Sequence, residues 1–134
     1  MEAWGTSNNL LVTVDLPLEL KLFAVQTFRS KIIYDLHQLQ SDSLPSLRDT
    51  LMKSLINQPK VILTYLCLSL SDLSLQFNDW LDPVNDMITN FSNTNPEILI
   101  EFLTVLPEEV NNVRIPINVC FWILKDRFCI YLQK

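Results

Sequence analysis

At 134 residues the chain has the size of one domain and can bury a core, and its 49% hydrophobic, 19% charged composition excludes a disordered polypeptide. A single glycine, Gly5, excludes the glycine-rich loops that cradle phosphates or dinucleotides and argues against tight primed hairpins, so the expected class is all-α with no cofactor. A net charge of −5 makes the surface repel phosphate, which disfavours nucleic acid as a direct ligand and suits a basic protein partner better.

In chain order, the first expected helix is a short one at residues 7–13, "SNNLLVT". Asp15 and Pro17 then mark a break and restart. The next helix, residues 18–39, places Leu20, Phe23, Ala24, Thr27, Phe28 and Ile32 on one face, with Gln26, Arg29, Ser30 and Lys31 around the rest. That spacing describes an amphipathic helix in need of a partner. A third helix, 43–57, has Asp42 or Ser43 as candidate cap, Pro45 in its first turn and a Leu44–Leu47–Leu51–Leu55 stripe.

The helix expected at 59–77 differs in kind. From Val61 to Phe77 its only charge is Asp72, and apolar or small residues surround it, so it should lie buried between neighbours. Val84, Ile88 and Phe91 then mark a helix within 80–91. The last, 96–110, starts at Pro96 and carries Ile98, Leu99, Phe102, Leu103 and Leu106, with Pro107 expected to end or kink it.

Phe23, Ile62 and Leu99 sit at comparable places in the longer helices, and a shorter helix separates each pair. Alternating helices at a period of about 40 residues describe a HEAT- or armadillo-like α-solenoid of stacked antiparallel pairs, in which each pair buries its face on the next. An ordinary helical bundle is the alternative. No signal peptide is visible in "MEAWGTSNNL", and "INVCFWIL" is too short to span a bilayer, so a soluble intracellular chain is expected.

Chemistry-bearing residues are sparse. His37 is the lone histidine, without a neighbouring nucleophile motif or a second ligand, and reads as a surface or helix-end residue rather than a catalyst. Cys67 reads as a small core residue, while Cys120 and Cys129 alone make a poor zinc site. Glu108 and Glu109 could attract basic segments, but adjacent helical residues do not face each other, so they are not a paired-carboxylate active site. Neither an enzyme nor a metal site is expected. Asp72 must find donors or stay wet, and its expected role is a bond to a neighbouring repeat.

"FAVQTFRSKIIYDLHQL", "SLRDTLMKSL", "LSLSDLSLQFNDW" and "LTVLPEEV" occur in this order, and together the chain over residues 3–113 resembles the N-terminal region of transportin-SR-like nuclear import receptors of the importin-β superfamily. The resemblance implies residues 1–113 as parts of repeats two to four, with 7–13 and 18–39 in repeat two, 43–57 and 59–77 in repeat three, and 80–91 and 96–110 in repeat four. It further implies binding of Ran-GTP through inner helices, Arg/Ser-rich splicing-factor cargo for the full-length receptor, and residence in cytoplasm and nucleus. On that view Arg29 and Lys31 are candidate partner contacts, their alternative being a solvated face. The first repeat is missing from the match. Residues 114–134, "RIPINVCFWILKDRFCIYLQK", depart from the pattern and are expected to be an irregular, divergent tail on a receptor fragment or isoform.

Overall fold

The structure, a computed structural model, describes residues 16–77 and 79–110. The helix expected at 7–13, Cys120, Cys129 and the tail at 114–134 lie outside the described residues. Within them are five α-helices: α1 Leu18–Asp35, α2 Leu44–Ser54, α3 Lys60–Gln76, α4 Pro83–Phe91 and α5 Pro96–Val110, with 3-10 turns at Leu36–Gln38 and Ser41–Ser43. No strand occurs among the described residues. The architecture is an all-α, HEAT-like solenoid segment.

The starts of the helices follow from local chemistry. Pro59 and Pro17 precede α3 and α1 in extended backbone, and their carbonyls accept the first helical bonds, from Leu63 N–H at 2.9 Å and from Lys21 N–H at 3.2 Å. Asp82 caps α4 by accepting from the Asn85 N–H at 3.1 Å, and Pro83 occupies the following position, where a missing N–H costs nothing. For α2 the expected side-chain cap is corrected. Neither Asp42 nor Ser43 caps it; both belong to a 3-10 turn that feeds directly into the helix. Asn57, just past α2, takes the left-handed conformation (φ 61°) that reverses the chain towards α3.

Packing separates the helices into two tiers. α3 has α1 on one flank and α5 on the other, and these three form a stacked layer. α2 packs on α3 and α4 on α5, so each short helix pairs with the longer one that follows it. Short connections at 55–59 and 92–95 make those pairs antiparallel. The core runs through this stack: Ala24, Val25, Phe28 and Ile32 of α1, Leu51 of α2, Ile62, Leu66, Leu70 and Leu73 of α3, Val84 and Met87 of α4, and Ile98, Phe102 and Leu106 of α5. The helix expected to be apolar all round is indeed the central one, and only Lys60 and Val61, at its start, are openly exposed.

One expectation changes. On α1 the buried face is Ala24, Val25, Phe28, Ile32 and Ile33, whereas Leu20 and Phe23 are 46% and 65% exposed. Apolar residues occur on several sides of this helix, so more than one stripe satisfies a 3.6-residue period, and the position of α3 selects the one containing Val25 and Ile33. Phe23 is therefore not equivalent in burial to Ile62, which is fully buried. At Pro107 an end or a kink was open, and the end is ruled out: α5 continues to Val110, over the expected range 96–110. Proline forfeits one backbone bond, but Val105, Leu106 and Glu109 on either side of it are buried and hold the last turn in place.

Leu70 is fully buried in α3, while Lys53 lies exposed on α2. Leu70→Asp should abolish the cooperative melt followed by circular dichroism, because the charge has no partner there. Lys53→Asp should shift stability by no more than about 0.5 kcal/mol. Similar melting shifts for both would contradict the layer order described above.

Candidate functional site

α3 carries Asp72 three-quarters of the way along its length, where packing on both flanks excludes water: its side chain is 0% exposed. A carboxylate so placed needs donors. Arg29 of α1 supplies them, its Nε donating to Asp72 Oδ2 at 3.2 Å. The same guanidinium donates through Nη2 to Glu109 Oε1 at 2.9 Å, so the planar fork of one arginine joins α1 to both α3 and α5. Arg29 itself is 24% exposed and Glu109 only 7%. Arg29 and Asp72 pair across neighbouring units, and Glu109 is a third member.

Two carboxyls on one arginine leave an excess of negative charge. Burial, above all, pushes the Asp72 carboxyl up from the ordinary 3.8 to about 9; the hydrogen bond with Glu109 and its charge push the same way, and Arg29 opposes them. The other oxygen of Asp72, Oδ1, has no hydrogen-bond partner among the described residues.

A second cluster lies between α3 and α5 nearer their starts. Lys60 Nζ donates to Glu101 Oε2, and Thr64 Oγ1 donates to Glu101 Oε1 at 2.8 Å. The hydrogen bond from Lys60, aided by that from Thr64, holds the Glu101 carboxyl below its usual range. Lys60 is 77% exposed, so this pair is strongly screened. Between α1 and α3, Gln26 Nε2 donates to Tyr65 Oη at 3.2 Å, and Gln76 Nε2 donates to the Ile32 carbonyl at 3.1 Å. On the shorter helices, Arg48 of α2 stacks 5.7 Å above the Trp80 ring, whose Nε1 donates to Asp86 of α4 at 2.6 Å.

Lys31, the other candidate contact on α1, pairs with Asp35 at 2.9 Å along its own helix and is one quarter exposed. It takes no part in the Arg29 cluster, because residues two apart lie on different sides of a helix. His37 lies exposed in the 3-10 turn after α1. Cys67 is buried in the core, and burial pushes its thiol up to about 12, so it stays protonated and unreactive as a nucleophile. Glu108 is exposed whereas Glu109 turns into the stack. Among the described residues, no cluster of His, Cys, Asp or Glu could hold a metal ion, and no helix is long and apolar enough to cross a membrane. Apart from the Lys31–Asp35 pair, these interactions join one helix to another or to the connection that carries Trp80.

Glu109 escaped the sequence reading because it stands 80 residues from Arg29, and no local pattern pairs them. Removing the shared arginine takes a charged donor from two buried carboxyls at once, so Arg29→Ala should cost roughly 3 kcal/mol or more in urea unfolding. Lys60→Ala, by contrast, should cost less than about 1 kcal/mol. Equal losses would mean that the arginine cluster is no more desolvated than the surface pair.

Comparison with known proteins gives this geometry a family. The model for "Exportin 1-like protein" matches residues 59–118, which include α3, α4 and α5. The chain is 39% identical over 115 residues to the mRNA transport regulator MTR10 of Saccharomyces cerevisiae, an alignment covering 83% of this chain and 12% of that protein. It is 31% identical over 124 residues to Transportin MOS14 of Arabidopsis thaliana, and 30% identical over 128 residues to Importin-13 of Homo sapiens, each covering 86% of this chain and 13% of the relative. The chain thus spans about an eighth of the length of these relatives. Exportin-like in one comparison and importin- or transportin-like in the others, with helices stacked in repeating pairs, the chain belongs to the importin-β superfamily.

Proposed function

We propose that the chain is an N-terminal portion of a transportin-SR-like nuclear import receptor, acting by binding rather than by catalysis. The alignment of most of the chain with proteins named transportin and importin carries this reading. The layer of α1, α3 and α5 supports it physically, since a rigid stack of long helices displays side chains from successive repeats along one surface. In the whole receptor, Ran-GTP engages this layer, and Arg/Ser-rich splicing factors are the cargo carried between cytoplasm and nucleus. The cargo site belongs to repeats beyond these. On this reading residues 1–113 correspond to the family's repeats and residues 114–134 depart from its pattern.

Of the two candidate contacts on α1, Lys31 is the one able to exchange partners. Its bond to Asp35 is an i,i+4 pair at the surface, worth about 0.3–0.5 kcal/mol and easily given up to a partner carboxylate. Arg29 contributes chiefly by holding α1, α3 and α5 in register. The alternative is a helical interaction scaffold without transport activity, which the acidic surface and the lack of any enzyme motif also allow.

Titration of the chain with labelled Ran-GTP and Ran-GDP tests the reading. Weak binding selective for the GTP form is expected, because the chain spans only about an eighth of the relatives' length and offers only part of such a surface. Lys31→Glu should weaken it more at low salt than at physiological ionic strength, where charges are screened over about 8 Å. An Arg/Ser-rich peptide should not bind. Tight peptide binding with no response to Ran would favour the scaffold.

A further inference from the structure

We propose that the chain associates with a second copy of itself head to tail, the outer flank of α1 in one copy seating on the outer flank of α5 in the other, so that the α1–α3–α5 layer continues from molecule to molecule. The proposal does not depend on the partner assigned above and begins with which flanks are covered. α3 has a long helix on each side, whereas α1 and α5 each have α3 as their principal long-helix neighbour among the described residues. On α1 the side turned away from the buried stripe is itself apolar. Leu20, Phe23, Thr27 and Tyr34 fall within one narrow sector of the helix, and the first, second and last of them are 46%, 65% and 56% exposed. On α5, Ile98, Phe102 and Val105 lie buried on one side, while Pro96, Ile100 and Leu103 form a stripe on the other, Ile100 being 65% exposed. Single exposed apolar residues are ordinary, but an apolar stripe at helical spacing is a face that packs.

Register fits the two flanks together. Later residues of α1 bond to later residues of α3, Gln26 to Tyr65 and Arg29 to Asp72, so the long helices run parallel. Arg29 also bonds to Glu109, 80 residues on, which sets α1 and α5 level at that offset. The same offset makes Leu20 level with Ile100 and Phe23 level with Leu103. A copy added at the α5 end by the step that relates α3 to α5 therefore brings its own α1 stripe against the α5 stripe, apolar residue beside apolar residue. The new joint repeats the packing of long helix on long helix already present twice within one molecule.

Charge selects the orientation. Six of the chain's lysines and arginines lie in residues 16–60 and none in 61–110, whereas 61–110 contain eight carboxylates, so the α5 end of the layer is acidic and the α1 end is not. Glu97, a helical neighbour of Ile100, and Glu108 are exposed and have no ion-pair partner among the described residues. Lys31 borders the stripe of α1, and its bond to Asp35 within its own helix is readily exchanged. Setting α5 against α5 opposes these glutamates to each other, whereas setting α1 against α5 does not. That contrast favours a heterologous joint over a two-fold one, and a heterologous joint leaves a free flank at each end of the pair.

Sedimentation equilibrium of the full 134-residue chain tests the joint. The apparent mass of the native chain should rise with concentration through the dimer towards larger species. Phe23→Glu and Ile100→Glu, each at a 65% exposed position, should keep the native circular dichroism and leave a monomer. An equimolar mixture of the two should recover a dimer and stop there, because one variant keeps its α5 flank intact and the other its α1 flank. A native chain that stays monomeric at every concentration would overturn the proposal, and residues 1–15 or 114–134 covering the flanks would produce that result. Dimers of either variant alone, or a mixture that stays monomeric, rule out the head-to-tail arrangement. Should a variant lose its fold, Phe23→Ser or Ile100→Ser takes its place in the same comparison.

Discussion

The burial of α3 is the constraint on which the other helices depend. A helix with apolar residues on every side cannot remain at a surface, and its sides must be covered by separate elements. α1 and α5 cover the flanks and α2 covers part of the remainder. Small side chains let them approach. Ser69, Ser71 and Ser74 are all buried on α3, and the hydroxyls of Ser69 and Ser74 donate to the Tyr65 and Ser71 carbonyls of their own helix. Those internal bonds satisfy the hydroxyls without requiring a polar partner on the facing helix.

Electrostatics then follows the direction of the stack. The segment after Lys60 contains carboxylates but no cation before the end of α5. Among the described residues, every ion pair between different helices therefore runs from a cation earlier in the chain to a carboxyl later in it: Arg29 to Asp72 and Glu109, Lys60 to Glu101. The two sets differ in depth. Lys60 and Glu101 meet where solvent screens them, and they add little cohesion. The Arg29 cluster is drier, and burial there pushes the Asp72 carboxyl well above the ordinary carboxylate range. Cohesion in this layer thus combines a large nonpolar contribution with one polar site of high consequence.

The shorter helices are joined by a different device. Trp80, in the connection before α4, is buried, receives Arg48 from α2 on its face and anchors its indole N–H on Asp86. An aromatic ring can contact both units at once, so the connection itself becomes packing material between them. This tier lends each long helix a second partner while leaving the α1–α3–α5 layer continuous. A continuous layer of that kind suits a protein whose activity is to display surface to partners.

Much of this could be read from the sequence, because helical periodicity and proline placement are local properties. Pro96 and the Ile98–Phe102–Leu106 stripe identify α5, and the charge-poor run after Val61 marks α3 as central. Asp72 was conspicuous for the same reason: a lone charge in such a run must bond to something. What it bonds to was decided only by tertiary structure, since Arg29 lies 43 residues before it and Glu109 stands 80 residues beyond Arg29. The buried face of α1 was likewise undetermined, because apolar residues on several sides permit several stripes and only the approach of α3 chooses among them. Pro107 shows the limit from the other direction. Its local effect is to interrupt a helix, yet packing around Val105, Leu106 and Glu109 outweighs the one hydrogen bond it removes and carries α5 on to Val110.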